Sequence, residues 1–383
     1  MIGRKLAIAL VSVQLAAAVS AETEGRRLLE ELVRIPSVSA DVLQVNRATA
    51  VMRGWLEARG VPCAVETDER GRQVLWASTM PGKEQDFVLV CHLDVVPAPE
   101  AMFKVSERDG RLYGRGVADC KANAVICAET LVALVGKASV GCVFTSDEET
   151  GGFTTALMLK RGYRPRRMVV VVDLAEYGLC NAHKGHAVLR LVAHGSEGHS
   201  SQPWASDNAL EKLIAGCAAL RREWDRMHAA ATAADPWHDT IAITLASSSS
   251  KVVNAVPARA EAQASLRYVD LDGCSKAVAF IRKVSGLEVE VLRDGGPVNA
   301  DASDPLMTRF LDLARQTWTD SALEFHRMDG ATDARHFGAL GLPVVICGSE
   351  AGAPHADGEW IDLAGLDRLR SLLLAFLEKP DTK

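Results

Sequence analysis

The sequence predicts an α/β fold: a mixed, largely parallel sheet flanked by helices, with a smaller α+β unit inserted into it. Three observations carry this. Short apolar runs rich in β-branched residues alternate with amphipathic stretches through the first half. Each such run ends in a polar cluster, as strands do where a sheet gathers its chemistry at one rim. The texture changes from about residue 185, and the first pattern returns after Pro297. Length agrees, since 383 residues with 48% hydrophobic content can build two cores.

At the N-terminus, Arg4 and Lys5 precede an apolar run over 6–19, and polar Glu22-Thr23-Glu24-Gly25 follows Ala21. This is the layout of a secretory signal peptide over residues 1–21, and the run is too short to span a bilayer. The expected destination is the periplasm or the exterior, with no stable membrane anchor. Nine cysteines without paired spacing point instead to a cytoplasmic protein whose first helix starts early. Cys91, Cys127, Cys142 and Cys347 lie inside apolar runs and read as small buried hydrophobes, with no zinc motif among them.

The first catalytic portion is expected over 22–185, with helices at 48–59 and 122–134 and strands at 87–91, 141–145 and 168–172. An inserted dimerisation or lid unit is expected over 186–296, with strands at 187–193, 240–246 and 260–268 and a helix at 208–227. The second catalytic portion, 297–383, has helices at 305–318 and 363–378 around a strand at 343–347. A net charge of −6, thinly spread Lys and Arg, and 5% aromatic residues exclude a nucleic-acid binder.

Five clusters hold candidate chemistry. In Cys91-His92-Leu93-Asp94 the strand period puts His92 and Asp94 on one side, where a carboxylate can orient a ligating imidazole. A polar strand end is the plain alternative. Asp119 follows a glycine-punctuated loop, Gly114-Arg115-Gly116-Val117-Ala118, and fits either a metal ligand or a helix N-cap. Asp147-Glu148-Glu149 crowds three acids after a strand, which is costly unless a cation offsets them or water solvates the loop. Asp173 ends the 168–172 run, and His355 lies in Pro354-His355-Ala356-Asp357-Gly358-Glu359. Together these donors suit Zn²⁺, Co²⁺ or Mn²⁺.

Taken in order, the clusters resemble those of the dinuclear zinc exopeptidases and deacylases, the family of acetylornithine deacetylase, succinyl-diaminopimelate desuccinylase, aminoacylase and the glutamate carboxypeptidases. The resemblance runs from about residue 24 to the end. It implies two Zn²⁺, replaceable by Co²⁺ or Mn²⁺, with His92 and Asp173 on one, Glu149 and His355 on the other, and Asp119 bridging. Asp94 would orient His92, and Glu148 would be the general acid and base. Asp173 precedes His183-Lys184-Gly185 by ten residues, as the ligand of the deacetylases precedes their own His-Lys-Gly; Glu176 is the fallback.

Gly195-Ser196-Glu197-Gly198-His199-Ser200 resembles the family's dimerisation motif, whose histidine reaches the partner's active site. That implies a homodimer in which His199 stabilises the oxyanion. Asn254-Ala255-Val256-Pro257 and Leu266-Arg267-Tyr268 resemble substrate-gripping segments, with Arg267 suited to a bidentate hold on a carboxylate. Gly330-Ala331-Thr332-Asp333-Ala334-Arg335 resembles a further active-site loop, in which Thr332 would bind substrate. His186, His194, His228, His238, His326 and His336 have no motif support and are read as surface or packing residues.

The sequence also departs from the pattern. Cys91 replaces the usual Gly, Ala122 the Gly after the lysine, and Asp-Leu-Ala at 173–175 replaces Glu-Pro-Thr. His183-Lys184-Gly185 is more like the deacetylases than the desuccinylases, which carry arginines in that stretch for a second carboxylate, and so favours a modest acyl group. A signal peptide favours a scavenging peptidase. The expected activity is hydrolysis of the amide bond of an N-acyl amino acid or small peptide. The alternative is a catalytically silent relative that binds an amino-acid derivative or serves as a scaffold, against which stand the intact Glu148, His199 and ligand set.

Overall fold

A computed structural model describes residues 24–229 and 237–378. The expected signal peptide, 1–21, lies outside the described residues, among which no helix is long and apolar enough to cross a membrane.

The central sheet has nine strands. Eight run in the order Cys63–Thr67, Gln73–Ser78, Val140–Thr145, Glu84–His92, Arg164–Leu174, Val344–Gly348, Gly178–His183 and Val298–Asn299, and Phe325–Met328 pairs onto Gly178–His183. The four strands from Val140–Thr145 to Val344–Gly348 are mutually parallel. Every residue of Val140–Thr145 and of Val344–Gly348 is buried, as expected where helices cover both faces of a parallel sheet.

The two-residue strand period divides the core. Phe87, Leu89 and Cys91 face helices 24–34, Val42–Glu57, Ala122–Leu134, Pro305–Thr317 and Leu363–Leu377. Val88 and Val90 face the opposite layer, which includes Met158 of helix Phe153–Lys160. All nine cysteines are free thiols. Cys91, Cys127 and Cys142 lie together behind the end of strand Glu84–His92, with the Cys91 and Cys142 sulfurs 3.9 Å apart.

After Gly178–His183 the chain leaves this sheet and builds a second one, antiparallel throughout, in the order Thr240–Ser248, Arg259–Tyr268, Gly185–His194, Glu288–Gly295. Helices Ala209–Met227 and Gly273–Ser285 cover one face, where Leu213, Leu220, Trp224 and Ile281 meet Leu189, Leu191, Ala262 and Leu266. Strand Arg259–Tyr268 alternates strictly. Ala260, Ala262, Ala264, Leu266 and Tyr268 are buried, while Glu261, Gln263, Ser265 and Arg267 lie on the other face. The chain returns to the first sheet at Val298–Asn299.

Candidate metal centre

Strands Val140–Thr145, Glu84–His92 and Arg164–Leu174 are neighbours and parallel, so their carboxyl ends bring His92, the Asp147–Glu149 turn and Asp173 to one rim. There His92 Nε2 lies 2.7 Å from Asp119 Oδ1 and 3.3 Å from Asp173 Oδ1. His355 Nε2 lies 3.0 Å from Asp119 Oδ2 and 3.0 Å from Glu149 Oε2. Asp119 thus turns one oxygen to each histidine. The five residues come from distant parts of the chain, and the fold gathers all of them.

This arrangement is short of positive charge. His92 Nδ1 is 2.9 Å from the Asp94 carbonyl, which can only accept, so Nδ1 carries the proton. In the neutral ring Nε2 then presents a lone pair to two carboxylates. Either a proton or a cation must sit between them. Burial disfavours a charged His92, yet Cys120, Asp173 and Asp119 hold its pKa well above the imidazole range. Hydrogen bonds to Asp119 and Glu149 raise His355 to about 10, and burial lifts Asp173 to about 6 against the pull of His92. Glu149 Oε1 is buried without a partner. Carboxylate oxygens with imidazole nitrogens on both sides of Asp119 fit a borderline divalent cation such as Zn²⁺. His355 is itself in the left-handed region (φ 60°), a conformation sparsely populated by non-glycine residues and concentrated at functional sites.

Two buried acids brace the cluster. The Asp94 carboxylate accepts from Ser39 Oγ at 2.6 Å, from Glu148 N at 3.2 Å and from Glu149 N at 3.3 Å. Asp94 therefore holds His92 through its carbonyl and the Glu148-Glu149 turn through its side chain. Glu359 is fully buried and accepts from Arg115 Nη1 at 2.6 Å and from the backbone N–H of Gly116, Ala118 and Asp119 at 3.0, 2.9 and 3.1 Å. It fixes the loop that carries Asp119. Asp119 is not an N-cap, because helix Ala122–Leu134 starts at Lys121 without a side-chain cap. Glu359→Ala leaves Arg115 buried and uncompensated, with an expected loss of about 3–5 kcal/mol. Denaturant unfolding of the variant checks this, and a loss under 1 kcal/mol would refute the bracing role.

Glu148 pairs with Arg335. Burial pushes the Glu148 pKa well above the carboxylate range, and Arg335 opposes the shift without cancelling it. Thr332 serves this arginine: its carbonyl accepts from Arg335 Nε at 2.7 Å, while its hydroxyl accepts from Ala334 N at 3.2 Å. Arg267 sits on the uncovered face of the second sheet, in a cross-strand row with His186 and Gly295. Its Nη1 is buried without a partner, as is Nε2 of the neighbouring His183. Burial lowers the pKa of His183, and likewise of His186, to about 4, so both rings are neutral.

His199 and Asn254 lie elsewhere. His199 pairs with Ala255 across two short strands, and Ser200 N donates to Asn254 O at 3.0 Å. Both residues are exposed. Among the described residues the His199 ring hydrogen-bonds Ser201 and reaches none of the metal-site acids. Glu176 faces His326 at 3.5 Å, which leaves the position beside His92 to Asp173. Of the histidines read as surface or packing, His186 lies beside Arg267, and His336 is half-buried against Asp333 at 3.8 Å.

The family model described as Peptidase family M20/M25/M40 matches residues 88–379. Succinyl-diaminopimelate desuccinylase of Bordetella petrii is 28% identical, over 94% of this chain and 98% of its own. The enzyme of the same name from Gluconacetobacter diazotrophicus is 27% identical, over 94% and 97%. Among solved structures, the M20 family metallo-carboxypeptidase Sso-CP2 of Sulfolobus solfataricus superposes with a TM-score of 0.73 at 16% identity, over 93% of this chain and 98% of its own. The di-peptidase Dug1p of Saccharomyces cerevisiae gives 0.69 at 16% identity, over 94% and 97%. The chain belongs to peptidase family M20/M25/M40 and is a metal-dependent hydrolase of amide bonds.

Proposed function

We propose that this chain is a dizinc deacylase or exopeptidase that cleaves an N-acyl amino acid or small peptide and works as a homodimer. The observation that carries the reading is Asp119, which turns one oxygen to the His92–Asp173 side and the other to the His355–Glu149 side. When bound, Zn²⁺, Co²⁺ or Mn²⁺ acts as a Lewis acid and makes hydroxide available near neutral pH. Glu148 takes the proton of the attacking water on its carboxylate and delivers it to the leaving amine. Arg335 holds Glu148 in place. Arg267 grips the substrate carboxylate with two parallel N–H donors. The names of the relatives, desuccinylase, di-peptidase and carboxypeptidase, fit the same bond type.

The exposed positions of His199 and Asn254 support a partner that completes the site. Strand Thr240–Ser248, an edge of the second sheet, exposes Ile243 (40%) and Leu245 (62%), an apolar edge suited to a second copy. His199→Ala and Glu148→Gln are each expected to be inactive alone. Mixed and reassociated, they regain activity, because one hybrid site then holds both native groups. Failure to regain any activity would refute a shared site. The reading also holds that residues 1–21 are removed on export, which the intact mass of the mature chain checks.

The deciding experiment is a panel of N-acetyl and N-succinyl amino acids and dipeptides assayed with Zn²⁺ or Co²⁺. Hydrolysis of at least one class is expected. A protein that binds such compounds and cleaves none is the silent relative instead.

A further inference from the structure

The cleft holds more positive charge than one substrate carboxylate requires. Strand Glu288–Gly295 shifts register against Gly185–His194 between Val291 and Arg293, an irregularity of the kind that re-aims a side chain. Arg293 reaches out of the second sheet and donates from Nη1 to the Thr150 carbonyl at 2.9 Å. It therefore lies against the turn that carries Glu148 and Glu149. Two residues further along, Gly295 gives Arg335 its room, since a Cβ there would stand 2.9 Å from Arg335 Cδ. Gly295 and Arg267 flank His186 in the same cross-strand row.

Three guanidinium groups thus converge beside the metal centre. Arg335 is paired with Glu148. Among the described residues, Arg267 and Arg293 are in no ion pair, and Arg267 Nη1 is buried without any partner. Burial and the charge of the other arginines lower the pKa of each of these two. Neutral His183 and His186 add no further charge but supply no counter-charge either. A guanidinium carries five N–H donors, and among the described residues Arg293 makes one hydrogen bond, to a carbonyl that cannot neutralise it. Such crowding of like charges is stable only with anions nearby. Among the described residues the acids paired into the group, Glu148 and at 4.0 Å Asp333, both face Arg335, which leaves Arg267 and Arg293 without one.

We propose that Arg293 is a specificity-determining residue that receives a second anionic group of the substrate, so that the substrate carries a further carboxylate on its acyl part or side chain besides the one held by Arg267. This rests on the amide-hydrolase reading above and narrows it. It differs from the modest acyl group expected from His183-Lys184-Gly185, since here the charge missing from that stretch is supplied from a different strand.

The test uses the zinc-loaded full chain with N-acetyl and N-succinyl derivatives of one amino acid, comparing kcat/KM for wild type, Arg293→Gln and Arg293→Lys. Wild type is expected to favour the succinyl compound. Arg293→Gln lowers the succinyl-to-acetyl ratio by roughly ten- to a hundredfold, mainly through KM, as loss of one charge-assisted contact implies. Arg293→Lys retains part of the ratio because it keeps the charge. Calorimetric titration of the succinyl compound into Glu148→Gln, with and without Arg293→Gln, reads the same contact as binding. A ratio unchanged by Arg293→Gln, or an equal fall for both compounds, overturns the assignment while leaving the hydrolase reading intact. No cleavage of either compound by wild type overturns both.

Discussion

Replacing Glu148 with Gln lowers turnover by at least ~10² while leaving bound metal unchanged. The substitution keeps the size of the side chain and an oxygen for Arg335, and removes the charge and with it the ability to carry a proton. The local electrostatics explain why this position suits the task. Burial raises the Glu148 pKa above the carboxylate range and Arg335 opposes the rise, and raising a carboxylate by burial is how enzymes tune a general base. Steady-state kinetics and metal analysis of the same sample decide the matter. Near-normal turnover would assign proton transfer to another group, and a parallel loss of metal would make Glu148 part of the scaffold.

The second large effect is expected at Asp119. Asp119→Asn replaces one of the two oxygens by an amide N–H₂, which has no lone pair to offer a cation held between this residue and His92 or His355. Loss of a residue that merely supports a ligand typically costs 10–100-fold in metal affinity or activity, so loss of the shared group should exceed ~10² in activity. Metal content should fall with it, below that of wild type prepared in parallel. A variant with full metal content and normal turnover would remove Asp119 from the centre. Glu359 helps to separate folding from chemistry here, because its hydrogen bonds to the Asp119 loop use backbone N–H groups that the substitution leaves in place.

Much of this was legible in the residues themselves. Central strands such as Glu84–His92 and Arg164–Leu174 announce themselves as apolar runs, because a strand covered on both faces has no polar side to display. The outer strands Cys63–Thr67 and Gln73–Ser78 and helix Gly273–Ser285 carry weaker patterns and were not anticipated. The metal-site acids were visible as types because each follows a strand or a glycine loop. Their supports were not. Asp94 was expected to orient His92 with its carboxylate, which lies 3.5 Å from Nδ1, but the shorter contact, 2.9 Å, comes from its carbonyl, and a carbonyl leaves no mark in a sequence. Glu359 stood within the His355 cluster, but a second acid, Asp357, lies two residues before it, and nothing in the sequence tells the two apart. Arg293 had no signal, since its role depends on a strand irregularity and on packing between two sheets. Asp119 illustrates the opposite limit: its loop fitted a cap equally well until the helix start at Lys121 excluded it.

The double grip of Asp94 has a consequence for how this centre tolerates change. One side chain and its own carbonyl steady the imidazole of His92 and the turn bearing Glu148 and Glu149. Substitutions at these positions should therefore show strong epistasis: once Asp94 is altered, a further change at the turn removes little that is still in place. Drift toward new chemistry is accordingly easiest in the arginines and loops that face the substrate, and hardest along the segment from His92 to Asp94, where one change is felt on both sides of the centre.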